Sequence, residues 1–167
     1  MERKTVYKLF FVWDMEKEEA WLNEMAMHGW ILDKVGFMRY TFVKGEPDSY
    51  AIRFELHGND PAYIAFMEET GAEYIGRVAG WMYFRKKASL GAFDIYSDID
   101  SRIGMLGRLA KMLSMVGAAN IIIGLMNSLN RTSIGWVNLL CGCMLMYGLG
   151  RIHGKIEALK RQRLLTE

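Results

Sequence analysis

Only two cysteines, two prolines and three histidines occur in these 167 residues, and each scarcity removes a class of chemistry. Cys141 and Cys143 lie two positions apart inside one apolar run. Helical neighbours at that spacing point about 200° apart, so the pair shares no metal and is expected as free, buried thiols. His28, His57 and His153 are scattered, without the paired helical spacing of a zinc site. Phosphate-loop and nucleophile-elbow patterns are missing, and Gly148-Leu149-Gly150 closes an apolar run instead of following a strand. No metal, cofactor or catalytic residue is therefore expected, and the chain does not read as an enzyme. An excess of positive charge is also lacking. Residues 1–111 carry 15 Lys and Arg against 17 Asp and Glu, a net of −2, without the clustered cations that nucleic-acid binding needs. The neighbouring pairs Glu18-Glu19 and Glu68-Glu69 point in different directions on a helix and read as solvated acids.

What the chain does have is two long uncharged stretches, Met112 to Leu129 and Thr132 to Gly150, with Arg131 between them. A bilayer's hydrocarbon core takes roughly 20 helical residues, so these are expected as a two-span membrane hairpin. Arg102, Arg108 and Lys111 precede it, and Arg151, Lys155, Lys160, Arg161 and Arg163 follow it. Such flanks put both termini on the cytoplasmic side of the cell membrane and bring cations to anionic headgroups. The N-terminal segment has too short an apolar stretch for a signal peptide. Small residues four apart, Ser114 with Ala118 and Gly124 with Ser128, are expected to let helices approach closely, with the asparagines hydrogen-bonding across. Two spans alone do not enclose a transport path.

Upstream, Val6 to Trp13 reads as a strand, and Asp14 as the N-cap of a helix reaching about His28. In that helix Trp21, Leu22, Met25 and Ala26 form one apolar stripe, while Glu16, Lys17, Glu18 and Glu24 face water. Strands follow over Trp30–Val35, Phe37–Val43 and Ser49–Leu56, then a helix opened by Asp60-Pro61 and closed by Gly71, then strands over Glu73–Val78 and Gly80–Lys87. The order is strand, helix, strand, strand, twice. A shift of 42 places Phe54 on Val12, Ala62 on Ala20, Tyr63 on Trp21, Met67 on Met25 and Gly71 on Gly29, and a further slip of two puts Met82 on Met38 and Phe84 on Tyr40.

The expected fold class is α+β: an antiparallel sheet with two helices on one face in tandem βαββ order, followed by a juxtamembrane helix and a two-helix transmembrane hairpin. The expected domains are a soluble head over 1–88, a linker and juxtamembrane helix over 89–111, the hairpin over 112–150 and a basic tail over 151–167. Ser97 with Asp100 has the spacing of a capping box that would start the juxtamembrane helix. The βαββ order is similar to the tandem modules of bacterial effector-binding domains, a resemblance that implies a small-molecule cleft between repeats. Trp13, Trp21, Trp30, Tyr40, Tyr50 and Trp81, with Arg53 and Arg77, are the candidate walls of a ligand or partner cleft. The plainer reading of the same residues, and the weightier one, is core plus ordinary surface pairs.

Several of these residues also carry a family likeness. Phe10-Phe11-Val12-Trp13-Asp14, Glu18 to Ala26, Gly29-Trp30, Lys44-Gly45-Glu46-Pro47, Phe93-Asp94 and Ser97 to Ser101 resemble the bacterial domain of unknown function 2812 across about residues 4 to 103. The resemblance implies one or more C-terminal membrane spans and a setting beside PadR-like regulators, and it transfers no catalytic residue. The expected function is a membrane-anchored cytoplasmic sensor or interaction module with a small-molecule or protein partner, membrane lipid around its hairpin, and self-association open to it. The alternative is an accessory or structural subunit that acts through the hairpin.

Overall fold

The computed structural model describes residues 2–95, 99–130 and 134–166. They form two compact units, Met1–Ile95 and Tyr96–Glu167. Ser97 of the expected capping box and Arg131 of the expected turn lie outside the described residues.

The first unit runs β1 (Arg3–Tyr7), α1 (Met15–Met27), β2 (Trp30–Gly36), β3 (Arg39–Lys44), β4 (Tyr50–Leu56), α2 (Pro61–Glu69), β5 (Ala72–Val78) and β6 (Trp81–Lys87). This is the expected α+β order, but the strands make two three-stranded antiparallel sheets, β1-β3-β2 and β4-β6-β5, where one sheet was expected. In each repeat the last strand lies in the middle.

The repeats match in backbone detail. At a shift of 42, Gly29 (φ +77°) falls on Gly71 (φ +85°), and Met38 (φ +55°) on Gly80 (φ +86°). The register irregularity between Leu32 and Lys34 falls on the one between Tyr74 and Gly76. The shift continues unchanged into the closing strands, so the two-residue slip expected from sequence is not there. Phe84 corresponds to Phe42, both fully buried, and Met82 to Tyr40.

Helix α1 packs on β2 of the first sheet and on β4 of the second, and the sheets approach each other along β2 and β5. It therefore lies in the angle between them. Asn23 binds α1 to the β4 edge as a strand would: its Nδ2 donates to the Ile52 carbonyl at 3.0 Å and its Oδ1 accepts from the Ile52 N–H at 2.9 Å. On β6 the run Trp81-Met82-Tyr83-Phe84 is buried throughout, because both faces of its sheet are covered. Met82 and Phe84 pack with Met67 of α2 and with Phe93, while Trp81 and Tyr83 turn to Phe54 on the other face. Burial of each such side chain is worth about 1.5–3 kcal/mol. Helix α2 starts where Asp60 Oδ1 accepts from the N–H groups of Ala62 and Tyr63, with Pro61 at its first position.

The first strand is shorter than expected and ends at Tyr7. The aromatic residues after it are used in packing: Phe10 meets Trp21 and Tyr40 edge-on or tilted, and Phe11 stacks on Trp13 at 4.8 Å. Asp14 makes no side-chain cap bond, and its carboxylate pairs with Lys17 at 2.8 Å.

The second unit is a pair of long helices, α3 (Ile99–Leu129) and α4 (Gly135–Thr166). The inward positions of α3, Ile103, Leu106, Ala110, Leu113, Gly117, Asn120, Gly124 and Asn127, alternate steps of three and four. Those of α4 do the same from Gly135 to Arg163. A seven-residue repeat of this kind winds two helices into a left-handed coil. The pairing is antiparallel: a Cβ on Gly124 would sit 2.9 Å from the backbone N of Leu139, and one on Gly135 would sit 2.8 Å from that of Ser128. Asp100 and Arg163 join the opposite end at 2.6 Å. Helix α3 continues unbroken through Gly104 and Gly107.

Among the described residues one helix, Ile99–Leu129, is long and apolar enough to cross a membrane. The expectation of two such helices is not met, because the uncharged part of α4 runs only from Gly135 to Gly150 before Arg151. The tail expected after it continues the helix. The close contacts come from Gly117, Gly124, Gly135 and Gly142, whereas Ala118 faces outward. Asn120 bonds within its own helix, to the Val116 carbonyl at 2.9 Å. Both cysteines are free but lie on the outer surface of α4 instead of being buried.

Candidate functional site

Helix α1 buries Glu18, Leu22 and Ala26, a stripe with a step of four that brings a carboxylate into the angle between the sheets. Glu18, only 8% exposed, does not face water as expected. Its Oε1 accepts from the hydroxyl of Tyr40 on β3 at 2.7 Å and from that of Tyr83 on β6 at 2.6 Å. One oxygen thus joins both sheets. Burial raises the Glu18 pKa, opposed by the Tyr83 and Tyr40 hydrogen bonds. Burial, together with the neighbouring carboxylate, holds both tyrosines far above their ordinary value, so both stay protonated and can donate to Glu18.

A second polar chain spans the sheets at β5 and β6. Arg85 donates through Nε to Glu73 at 2.7 Å and through Nη1 to the Leu32 carbonyl of β2 at 2.9 Å. Its guanidinium lies 5.1 Å from the centre of the Tyr50 ring, and the Tyr50 hydroxyl donates to Glu73 at 3.3 Å. Beside Tyr50 opens a groove of about 540 Å³, lined by Ile31 of β2, Glu46 to Ser49 of the segment joining the repeats, and Lys87 to Ser89. Its walls are mixed polar and apolar, with carboxylates at Glu46 and Asp48 and an ammonium at Lys87. Such a lining presents hydrogen-bonding groups of both charges beside one aromatic face.

The eight residues expected to wall a cleft do not form one surface. Tyr50 alone among them lines this groove. Trp21 and Tyr40 touch at 5.1 Å within the core, where Lys8 Nζ stands 4.4 Å from the Trp21 ring. Trp13 is buried in its stack on Phe11, and Trp81 is buried edge-on to Phe54. Trp30 is covered by the ammonium groups of Lys4 and Lys44, at 5.3 and 4.7 Å. Arg53 pairs with Glu19 at 3.6 Å, and Arg77 points to solvent. Glu18, Tyr83, Glu73 and Arg85 are the residues that sequence reasoning missed. Glu18 was findable, since it is in phase with Leu22 and Ala26. Among the described residues no three His, Cys, Asp or Glu side chains stand close enough to hold a metal ion.

The head and the start of the coil are matched by one family model, described as "Protein of unknown function (DUF2812)", over residues 14–118. The chain belongs to this family. Comparison with curated proteins and with solved structures finds no match. The DUF2812 match starts at the residue before α1 and runs into α3, so it takes in Glu18, both tyrosines, the groove and the first part of the apolar helix.

Proposed function

We propose that this DUF2812 protein is a membrane-anchored, non-catalytic sensor or interaction module, in which the α3–α4 pair is the anchor and the head binds a small molecule or protein partner. What carries the reading is a reversal of polarity along the helical pair. Near the open ends the outward side chains are charged, among them Arg102, Arg108, Lys111, Arg151 and Lys160, and the inward ones are aliphatic. Beyond Met112 the inward positions of α3 include Gly117, Asn120, Gly124 and Asn127, and large apolar side chains such as Met115, Ile122, Met126, Trp136 and Leu140 point outward. Only 28% of the most apolar window of α3 is buried, whereas a helix in a water-soluble core is mostly covered. Met112 to Leu129 spans about 27 Å at 1.5 Å per residue, against a hydrocarbon core of about 30 Å.

The antiparallel packing of α4 on the same stretch argues that the two helices enter lipid together, although α4 alone is too short in apolar length. The cations at the open ends favour cytoplasmic placement of both termini. The groove beside Tyr50 supports ligand binding by the head, and family resemblance points to a PadR-like regulator as the recipient of its signal. High-speed centrifugation of detergent-free lysate tests the anchor: the full chain is expected in the pellet and to resist alkaline extraction, and recovery in the supernatant refutes the reading. A thermal-shift screen of the detergent-solubilised chain tests the head, and the absence of any stabilising ligand or captured partner counts against sensing. The glycine-lined contact favours a second reading, an accessory subunit of a membrane assembly. Deleting residues 112–150 separates the two, since a sensor head keeps its binding and an accessory subunit loses all association.

A further inference from the structure

We infer that the β2–β3 hairpin tip, together with the end of β1, docks the head onto an anionic bilayer surface. This rests on the membrane-anchored reading, which keeps the head close to lipid. At the tip Phe37 is 77% exposed, and Tyr7 beside it is 73% exposed. Met38 and Leu9 are exposed as well. Register brings the backbone of these residues to one end of the sheet: Tyr7 is opposite Arg39, and the Lys8 N–H donates to the Met38 carbonyl at 3.0 Å.

The repeat supplies an internal control. The equivalent turn of the second repeat is Ala79-Gly80, a two-residue loop as well, in which both Ala79 (φ +48°) and Gly80 (φ +86°) are left-handed. Each turn holds one non-glycine residue at positive φ, Met38 (φ +55°) in the first and Ala79 (φ +48°) in the second, so the strain is alike in the two and only the side chains differ. Ala-Gly closes the equivalent turn of the second repeat, so a two-residue loop here does not need the large, exposed side chains of Phe37 and Met38.

Charge selects the occupant. Between Glu2 and Asp14, and again between Asp33 and Glu46, the sequence has cations and no acid. Arg39 and Lys34 flank the tip, exposed and without an ion-pair partner among the described residues. The tip offers four exposed apolar side chains, well short of the roughly 800 Å² per partner of a stable protein interface. Apolar side chains ringed by cations match the headgroup layer of a membrane holding anionic lipid.

The test uses the full-length chain with Cys141→Ala and Cys143→Ala, carrying Phe37→Cys labelled with a polarity-sensitive fluorophore. It is reconstituted in vesicles of phosphatidylcholine, with and without phosphatidylserine. The expected result is a blue shift and a gain in intensity with phosphatidylserine only, reversed by high salt and lost with Lys34→Glu plus Arg39→Glu. The same label at Ala79→Cys is expected to stay water-exposed throughout. A chain that floats with the vesicles while its Phe37 label stays water-exposed overturns this inference alone. A chain that fails to float overturns the anchor reading and this one with it. A shift that follows protein concentration in detergent, without vesicles, assigns the tip to a protein contact and also overturns the inference.

Discussion

Removing the carboxylate of Glu18 should cost the head far more than neutralising it. Glu18→Ala leaves the Tyr40 and Tyr83 hydroxyls, now bonded at 2.7 and 2.6 Å, without an acceptor in the core. A buried donor left unsatisfied costs about 1–3 kcal/mol, so the pair amounts to about 2–6 kcal/mol before any cavity is counted, a large part of the ~5–15 kcal/mol stability of a small domain. Glu18→Gln keeps the shape and one acceptor oxygen, and its loss should stay below about 1 kcal/mol at neutral pH. The two variants also separate by pH. The folded-state pKa of Glu18 is raised above the ordinary value of 4.5, so the folded head binds this proton more tightly than the unfolded chain does. The stability contributed by the neutral form is then complete below about 4.5 and is lost as pH rises through the folded pKa. Glu18→Gln carries no such proton and should abolish that component. Thermal unfolding of the detergent-solubilised chain, followed by tryptophan fluorescence across pH, reads both effects, at about 4–8 °C per kcal/mol for a unit of this size. The reasoning is refuted if Glu18→Ala unfolds with the parent chain, or if Glu18→Gln leaves the pH profile unchanged.

Asn23→Ala frees the Ile52 N–H and leaves its carbonyl with Arg53 Nη1 at 2.9 Å as donor, and should destabilise the head by about 1–3 kcal/mol, with hydrogen exchange at the Ile52 amide rising more than at Phe84. Gly124→Val places a Cβ within 2.9 Å of the Leu139 backbone N, so the coil must splay, and limited proteolysis in detergent should cut α4 faster than in the parent. Gly107→Ala has open space around its Cβ and should instead stabilise α3 by up to about 1 kcal/mol, measured as a higher midpoint of helix loss by circular dichroism.

Local pattern carried much of the fold. Alternation along Tyr50 to Leu56, Pro61 at a helix start and Gly71 at its end each imposed a boundary that the structure keeps, and the shift of 42 was legible in Gly29 and Gly71. What failed were properties of the layers. Val6 to Trp13 is rich in strand-forming residues, yet Phe10, Phe11 and Trp13 do better packed against rings than paired in a ladder. Glu18 was assigned to water by its charge in spite of its phase with Leu22 and Ala26, and the second sheet that closes over α1 leaves no other local mark. Whether the strands form one sheet or two is likewise decided by contacts between distant elements. The candidate site shared that limit: aromatic content marked the core in which Tyr40, Trp21 and Trp81 lie, but the groove is defined by a turn and by residues 87–89, which carry no strong sequence signal.

The position of β3 and β6 in the middle of their sheets sets an order of events during synthesis. In each repeat the two outer strands emerge first and stay unpaired until the central one follows, so the first sheet can close only after Lys44 and the second only after Lys87. Until then α1 has half its burial surface bare. Both closing strands are synthesised before the apolar part of α3, and domains mature from the N-terminal side as the chain lengthens. The chain order thus lets the head assemble before the ribosome presents the long apolar run.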